Sequence, residues 1–177
     1  YITRYVQQWQ RVATCKGRSH VDGDHCRFTP DAAGELRATA MTQDSAGRLH
    51  ESATWIYAQG RDAVLWEDRP DFSLDIRVDK AKYKVGDVAR LCGKNPEPGA
   101  TALITVERYG VLEHRIQKLE TATPVIEIPI KPDDLPGAYV SVTVVSPRVA
   151  APVKGGVDLG KPTFRMGYAP LPVEDPY

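Results

Sequence analysis

Residues 102–110 read ALITVERYG and residues 138–146 read AYVSVTVVS. In the second stretch Val140, Val142 and Val144 recur at every second position, which in an extended chain puts them on one face. In the first, Thr105, Glu107 and Tyr109 are polar enough for an outer face, while Leu103 fits neither extreme. Working outward, LDIRVD alternates over 74–79, a turn over 84–87 leads into VARLCG, and PVIEIPIK covers 124–131. These runs are short, rich in Val, Ile, Thr and Tyr, and bounded by Pro or Gly, which is how strands read. VLEHRIQKLE competes with that pattern, because Leu112, Ile116 and Leu119 fall at i, i+4 and i+7 as on a helix face. The segment is short and Tyr109 and Val111 carry the strand pattern into it, so it is assigned to a strand hairpin.

About seven strands in about 95 residues is the density of an immunoglobulin-like or fibronectin-III-like sandwich. Before them, YVQQWQRVATC (5–15), HCRFTPD (25–31), ELRATAMTQD (35–44) and RLHESATWIYA (48–58) read as a meander. Leu36, Ala38 and Ala40 share one face there, and Asp44 to Gly47 makes a turn. About four strands are too few for the same sandwich, so this first domain is expected to be partial. Residues 61–73 are charged, contain Pro70 and show little periodicity, which puts a boundary near Pro70. The expected fold is all-β: two tandem β-sandwich domains over 1–72 and 73–177, the first truncated. The chain opens YITRYV without an initiator Met and closes at EDPY, so it reads as a piece of something longer, with any export signal outside it.

With 177 residues and 19.5 kDa, two domains of about 90 residues fit better than one. Lys plus Arg number 23 and Asp plus Glu number 23, so no net charge draws the chain to phosphate, and no nucleic-acid partner is expected. Hydrophobic residues make up 42%, enough to build a core, which excludes intrinsic disorder. No run of about 18 apolar residues occurs, so no direct membrane insertion is expected.

Cys15 and Cys26 bracket the polar loop KGRSHVDGDH. Two strands joined by such a loop could bring their Cα atoms within the roughly 5.5 Å that a disulfide needs, and a bridge would mean an oxidising compartment. The alternative is a reduced pair. Cys92 remains as a small core residue. Cys15, His20, His25 and Cys26 offer two sulfurs and two imidazoles, but no short C-x(2–4)-C arm, and adjacent His25 and Cys26 would point apart, so no metal is expected. Asp22-Gly23-Asp24 is an acidic turn with too few ligands for calcium. His50 and His114 read as surface imidazoles. Glu67-Asp68, Asp133-Asp134 and Glu174-Asp175 read as solvated turns. No nucleophile elbow, zincin motif, phosphate loop or dinucleotide loop is present, so no catalytic residue, no cofactor and no enzymatic activity are expected.

Four blocks carry a resemblance: Lys80-x-x-Tyr83-x-x-Gly86-Asp87-x-Ala89, then 102–112, then Pro136-Gly-Ala-Tyr-Val-Ser-Val142, then Gly160-Lys-Pro-x-x-Arg-x-Gly-Tyr168. In that order they resemble the macroglobulin domains of bacterial alpha-2-macroglobulin-like protease inhibitors, over essentially all of 74–173. The first domain matches more loosely, through Phe28-Thr-Pro30, Gly34-x-Leu-x-Ala38, Asp44-x-x-Gly47 and Ser52-x-x-Trp55. Each block also has its own physical reading. Tyr83 puts an aromatic on the core face ahead of a turn in which Gly86 takes positive φ and Asp87 bonds the backbone. Pro136-Gly137 turns the chain into the strand that carries Tyr139 and the valine stripe.

The resemblance implies a scaffold piece of a large periplasmic, cell-envelope or secreted chain in which a protease cuts an exposed bait segment and is then enclosed. Its partners would be target endopeptidases, met through the full-length protein, and other macroglobulin domains of the same chain. In the family the bait tends to follow the Gly-Tyr block, so the two domains would lead into it. The thioester pattern C-x-E-Q is absent: Cys15 precedes KGR, Cys26 precedes RFT and Cys92 precedes GKN. Tandem sandwiches also serve in bacterial surface adhesins and secretion proteins, and fold alone does not separate these. An accessory sandwich of a carbohydrate-active enzyme would want a coplanar aromatic row, and Trp9, Trp55 and Trp66 are scattered in sequence.

Overall fold

The computed structural model describes residues 8–18, 20–61, 64, 66, 72–148, 150–152 and 160–174. Its strands are β1 (Gly34–Gln43), β2 (Leu49–Ala58), β3 (Ile76–Val78), β4 (Val88–Gly93), β5 (Ala100–Glu107), β6 (Val111–Leu119), β7 (Val125–Pro129), β8 (Gly137–Ser146) and β9 (Thr163–Pro172). The chain divides into two compact units, Tyr1–Asp31 with Leu36–Ile56, and Ala32–Glu35 with Tyr57–Tyr177. Pro70, where the sequence puts a domain boundary, lies outside the described residues.

The second unit is a sandwich. A three-stranded sheet in the order β3-β4-β7 and a four-stranded sheet in the order β6-β5-β8-β9 share one apolar core. All strand pairs are antiparallel. The period-two pattern decides which residues face inward: Val140, Val142 and Val144 from β8, Ile104 from β5, Leu91 from β4 and Ile128 from β7 are all fully buried. Each such side chain contributes about 1.5–3 kcal/mol by leaving water, which is what holds the two sheets together.

The segment with helical spacing is strand β6. It pairs with β5 in register from Ala100↔Leu119 to Val106↔Glu113, with an irregularity at Val106/Glu107. Leu119 is buried, whereas Leu112 and Ile116 are exposed, so the apolar stripe of a helix never forms. A nine-residue ladder outweighs the weak intrinsic preference of a short segment.

The Tyr83 block folds as its residues suggest. Tyr83 is 1% exposed, and its hydroxyl donates to Asp79 Oδ1 at 2.8 Å and accepts from the Lys80 N–H at 3.1 Å. Gly86 has φ 92°, and the Lys84 N–H donates to Asp87 Oδ2 at 3.2 Å.

In the first unit, the Asp44–Gly47 turn forms with Gly47 at φ 80°. Asp44 Oδ1 accepts from the N–H groups of Ala46 and Arg48, each at 2.9 Å. The strands expected over 5–15 and 25–31 are corrected: no strand occurs in residues 8–15 or 25–31, and 5–7 lie outside the described residues. Residues 8–18 are exposed throughout. A strand needs a ladder partner and a buried face, and alternation alone supplies neither. The face expected at Leu36, Ala38 and Ala40 is not a core either, since β1 is exposed from Arg37 onward.

Candidate functional site

The chemistry-bearing residues do not converge. Cys15 and Cys26 are joined by a disulfide with Cα atoms 6.2 Å apart. Cys92, free and half-buried on β4, accepts a hydrogen bond from Gln59 Nε2. Burial pushes its thiol pKa up, against the Gln59 bond, which makes it a poor nucleophile. His20 and His25 are exposed, and Asp24 turns its carboxylate to the N–H groups of His25 and Arg18 at 2.8 and 3.2 Å. Among the described residues no group of three or more His, Cys, Asp or Glu could hold a metal ion.

His50 Nε2 lies 3.3 Å from Ser52 Oγ, as i, i+2 neighbours on the exposed β2. No carboxylate among the described residues orients that ring, as nucleophilic catalysis would require. The reading of Asp133-Asp134 as a solvated turn is corrected for Asp134. It is buried and accepts the Lys131 N–H at 2.7 Å, closing the short 3-10 turn Pro132–Asp134. Glu174 pairs with Lys82 at 3.2 Å. Glu67, Asp68 and Asp175 lie outside the described residues.

The most organised polar cluster in the second unit surrounds Lys94, just after β4. Its ammonium lies 2.8 Å from Glu35 and 3.9 Å from Asp75, and 4.8 and 5.3 Å from the ring centroids of Tyr57 and Trp66. Tyr57 donates its hydroxyl to Asp75 Oδ2 at 2.6 Å, and Trp66 donates Nε1–H to the Ala122 carbonyl at 2.7 Å. Burial, reinforced by the Asp75 bond, raises the Tyr57 pKa well above the ordinary tyrosine value, so this hydroxyl stays protonated. A cation held between two carboxylates and two aromatic faces fixes Glu35, Tyr57 and Trp66 to the sandwich.

Asn95 acts similarly. It is fully buried, bonding the carbonyls of Leu119 and Thr121 through Nδ2 and the Glu97 N–H through Oδ1. Neither the Lys94 cluster nor Asn95 shows in the sequence, because, Glu97 apart, their partners come from segments 19 to 59 positions away.

The two outer faces of the sandwich differ. On the three-stranded sheet, Arg90 and Glu127 sit opposite each other and pair at 3.2 Å, with Arg77 opposite Cys92 and the exposed Val88 and Val125 on the same face. On the four-stranded sheet one rung runs Ile116↔Leu103↔Thr143↔Met166, and the next runs Lys118↔Thr101↔Val145↔Phe164. Ile116 is 73% exposed, Val145 51% and Phe164 46%. Phe72 stacks on Phe164 with centroids 4.6 Å apart. Leu103, which fits no pattern in the sequence, therefore belongs to an apolar outer face. At one end of the same sheet, Tyr109, Tyr139, Pro170 and Pro172 line a shallow concavity of about 300 Å³.

In the first unit Trp9 and Trp55, distant in sequence, come together with centroids 5.2 Å apart at 57°. They are tilted and so do not form the coplanar row that a flat sugar-binding platform needs.

Such an arrangement can bind and pack; nothing among the described residues assembles a nucleophile, base and oxyanion site. Residues 74–177 match the alpha-2-macroglobulin bait region domain. The chain is also similar to the alpha-2-macroglobulin homolog of Nostoc sp. (strain PCC 7120), with 26% identity over 174 residues. That alignment covers 96% of this chain and 9% of the relative. No solved structure matches the chain.

Proposed function

Because the chain belongs to the alpha-2-macroglobulin family through its bait region domain, we propose that it is a scaffold segment of a bacterial broad-spectrum endopeptidase inhibitor. In this reading a protease cuts a bait segment elsewhere on the full-length product, the product rearranges, and the protease is enclosed. The observation that carries it is the family match over 74–177, on a sandwich whose polar groups are used up in holding segments together. The segment's own work is mechanical: it presents rigid faces to other domains and to the bait. A periplasmic, cell-envelope or secreted location goes with it, and the Cys15–Cys26 bridge favours such an oxidising compartment.

Digestion of a large protein substrate by trypsin or elastase tests the proposal. The full-length product is expected to slow digestion after being cut itself. The 177-residue chain, at stoichiometric amounts, is expected to leave digestion unchanged, since enclosure needs the whole set of domains. Potent inhibition by the isolated chain, or none by the full-length product, overturns the reading.

A further inference from the structure

An antiparallel sandwich that stands alone keeps its outer faces largely polar, and on the three-stranded sheet the Arg90–Glu127 pair separates the exposed Val88 from the exposed Val125. The outer face of the four-stranded sheet breaks that rule over the rung Ile116–Leu103–Thr143–Met166 and over the Val145–Phe164 half of the next, whose other half is Thr101 and Lys118. At its centre Leu103, Thr143 and Val145 are flanked by Ile116 on one edge strand and by Met166 and Phe164 on the other. Residues directly opposite on neighbouring strands bring their side chains within about 5 Å, so these form one continuous patch. Lys118 sits on β6 at the rim, where it is paired with Glu120 at 3.1 Å. Scattered exposed apolar residues need no explanation, but a contiguous patch of this kind marks a surface that is covered in the working molecule.

We propose that this face, centred on Leu103 and Val145, is the packing surface for another β-sheet domain of the polypeptide that carries this segment. Three observations select that occupant. The patch spans four neighbouring strands of one sheet, a surface that a second sheet covers face to face at about 10 Å. Its middle holds Leu103, Thr143 and Val145 with no charge to be matched, as in a permanent interface and unlike the charged rim of a transient one. The related Nostoc protein carries this region as 9% of its length, so such a polypeptide has ample further chain to supply the sheet. The proposal rests on the multi-domain reading above, and its test does not depend on inhibition.

Single cysteines introduced by Ile116→Cys and Val145→Cys report on the face, and Val88→Cys, on the outer face of the other sheet, is the control. All are made in a Cys92→Ser background and labelled with a maleimide, both in the 177-residue chain and in the full-length product. The expected result is at least about tenfold slower labelling at 116 and 145 in the full-length product, the protection given by a stably closed surface, with the isolated chain labelled rapidly. Equal labelling in the two proteins overturns the proposal. So does protection already present in the isolated chain, whether lost on dilution, as for a second copy, or independent of concentration, as for cover by the chain's own residues. Ile116→Glu is a second readout, expected to lower the thermal midpoint of the full-length product but not that of the isolated chain. A full-length product that traps protease while both readouts fail would remove this interface and leave the functional reading standing.

Discussion

Tyr83 illustrates how one side chain ties a loop to a core. Its ring is enclosed between the sheets while its hydroxyl meets Asp79 and Lys80. Tyr83→Phe keeps the ring and strips the hydrogen bonds, so it is expected to cost about 0.5–1.5 kcal/mol in urea unfolding. Burial, reinforced by the bond to Asp79, raises the Tyr83 pKa to about 12. Its folded value lies above the unfolded one, so the associated stability is present below about pH 10 and is lost as pH rises towards 12. Absorbance at 295 nm should show this late titration, and Tyr83→Phe should remove its share while leaving the still later one of Tyr57. On the acid side the signs reverse. For Asp87 the Lys84 N–H and the Lys80 ammonium hold the carboxyl below its ordinary value. For Asp79 burial acts in the opposite direction but is outweighed by the Arg90 N–H and the Tyr83 hydroxyl. Their stabilisation is present above about pH 4 and is lost as pH falls through the folded values. Asp87→Asn should flatten the decline of the thermal midpoint between pH 4 and pH 2.

Among the elements, β9 shows why a tight block of sequence is there. Phe72 to Leu74 runs parallel to it, with the Met166 N–H bonded to the Phe72 carbonyl and the Leu74 N–H to the Met166 carbonyl, both at 2.8 Å. A Cβ on Gly167 would overlap the Leu74 carbonyl oxygen. Gly167→Ala is therefore expected to push the two segments apart and cost about 1–3 kcal/mol, whereas Gly110→Ala meets open space and should leave the melting temperature nearly unchanged. This strand was also the least legible: Gly167, Pro170 and Pro172 look like punctuation, yet the prolines sit on an edge strand, where a missing N–H is tolerated. The strands around 104, 128 and 142 were legible because each buries one face and so must alternate. Residues 8–15 and 25–31 misled for the complementary reason, since a polar alternating run looks the same whether or not a partner exists to pair with it.

For the molecule as a whole, the buried core cluster draws only on residues from Leu74 to Val173, while most of β1 and β2 is exposed on both faces. Expressed separately, residues 57–177 are expected to melt in one cooperative transition and residues 1–56 to show none by differential scanning calorimetry. A piece starting at 73 should fold but lose about 1–3 kcal/mol relative to 57–177, because it lacks Tyr57 and Trp66 around Lys94. The fold class could be read from strand density. The outer-face patch could not, because alternation says that two faces differ without saying which apolar residues on the weaker face line up across four strands. Register decides that, and register is set by turns and pairing rather than by any one strand.

The stitching of Phe72 to Leu74 along β9 bears on how the sandwich carries a pull. Where the chain comes in, residues 72–74 lie parallel to the strand by which it leaves, and further along the Tyr83 N–H reaches the Pro172 carbonyl while the Glu174 N–H reaches the Tyr83 carbonyl. Tension applied to the two ends therefore slides these segments past one another along their length, loading the bonds together instead of opening them one at a time like a zipper. Under such a pull the sandwich transmits force as a rigid link, and its mechanical lifetime is set by the rate of rupture at this seam rather than by equilibrium stability.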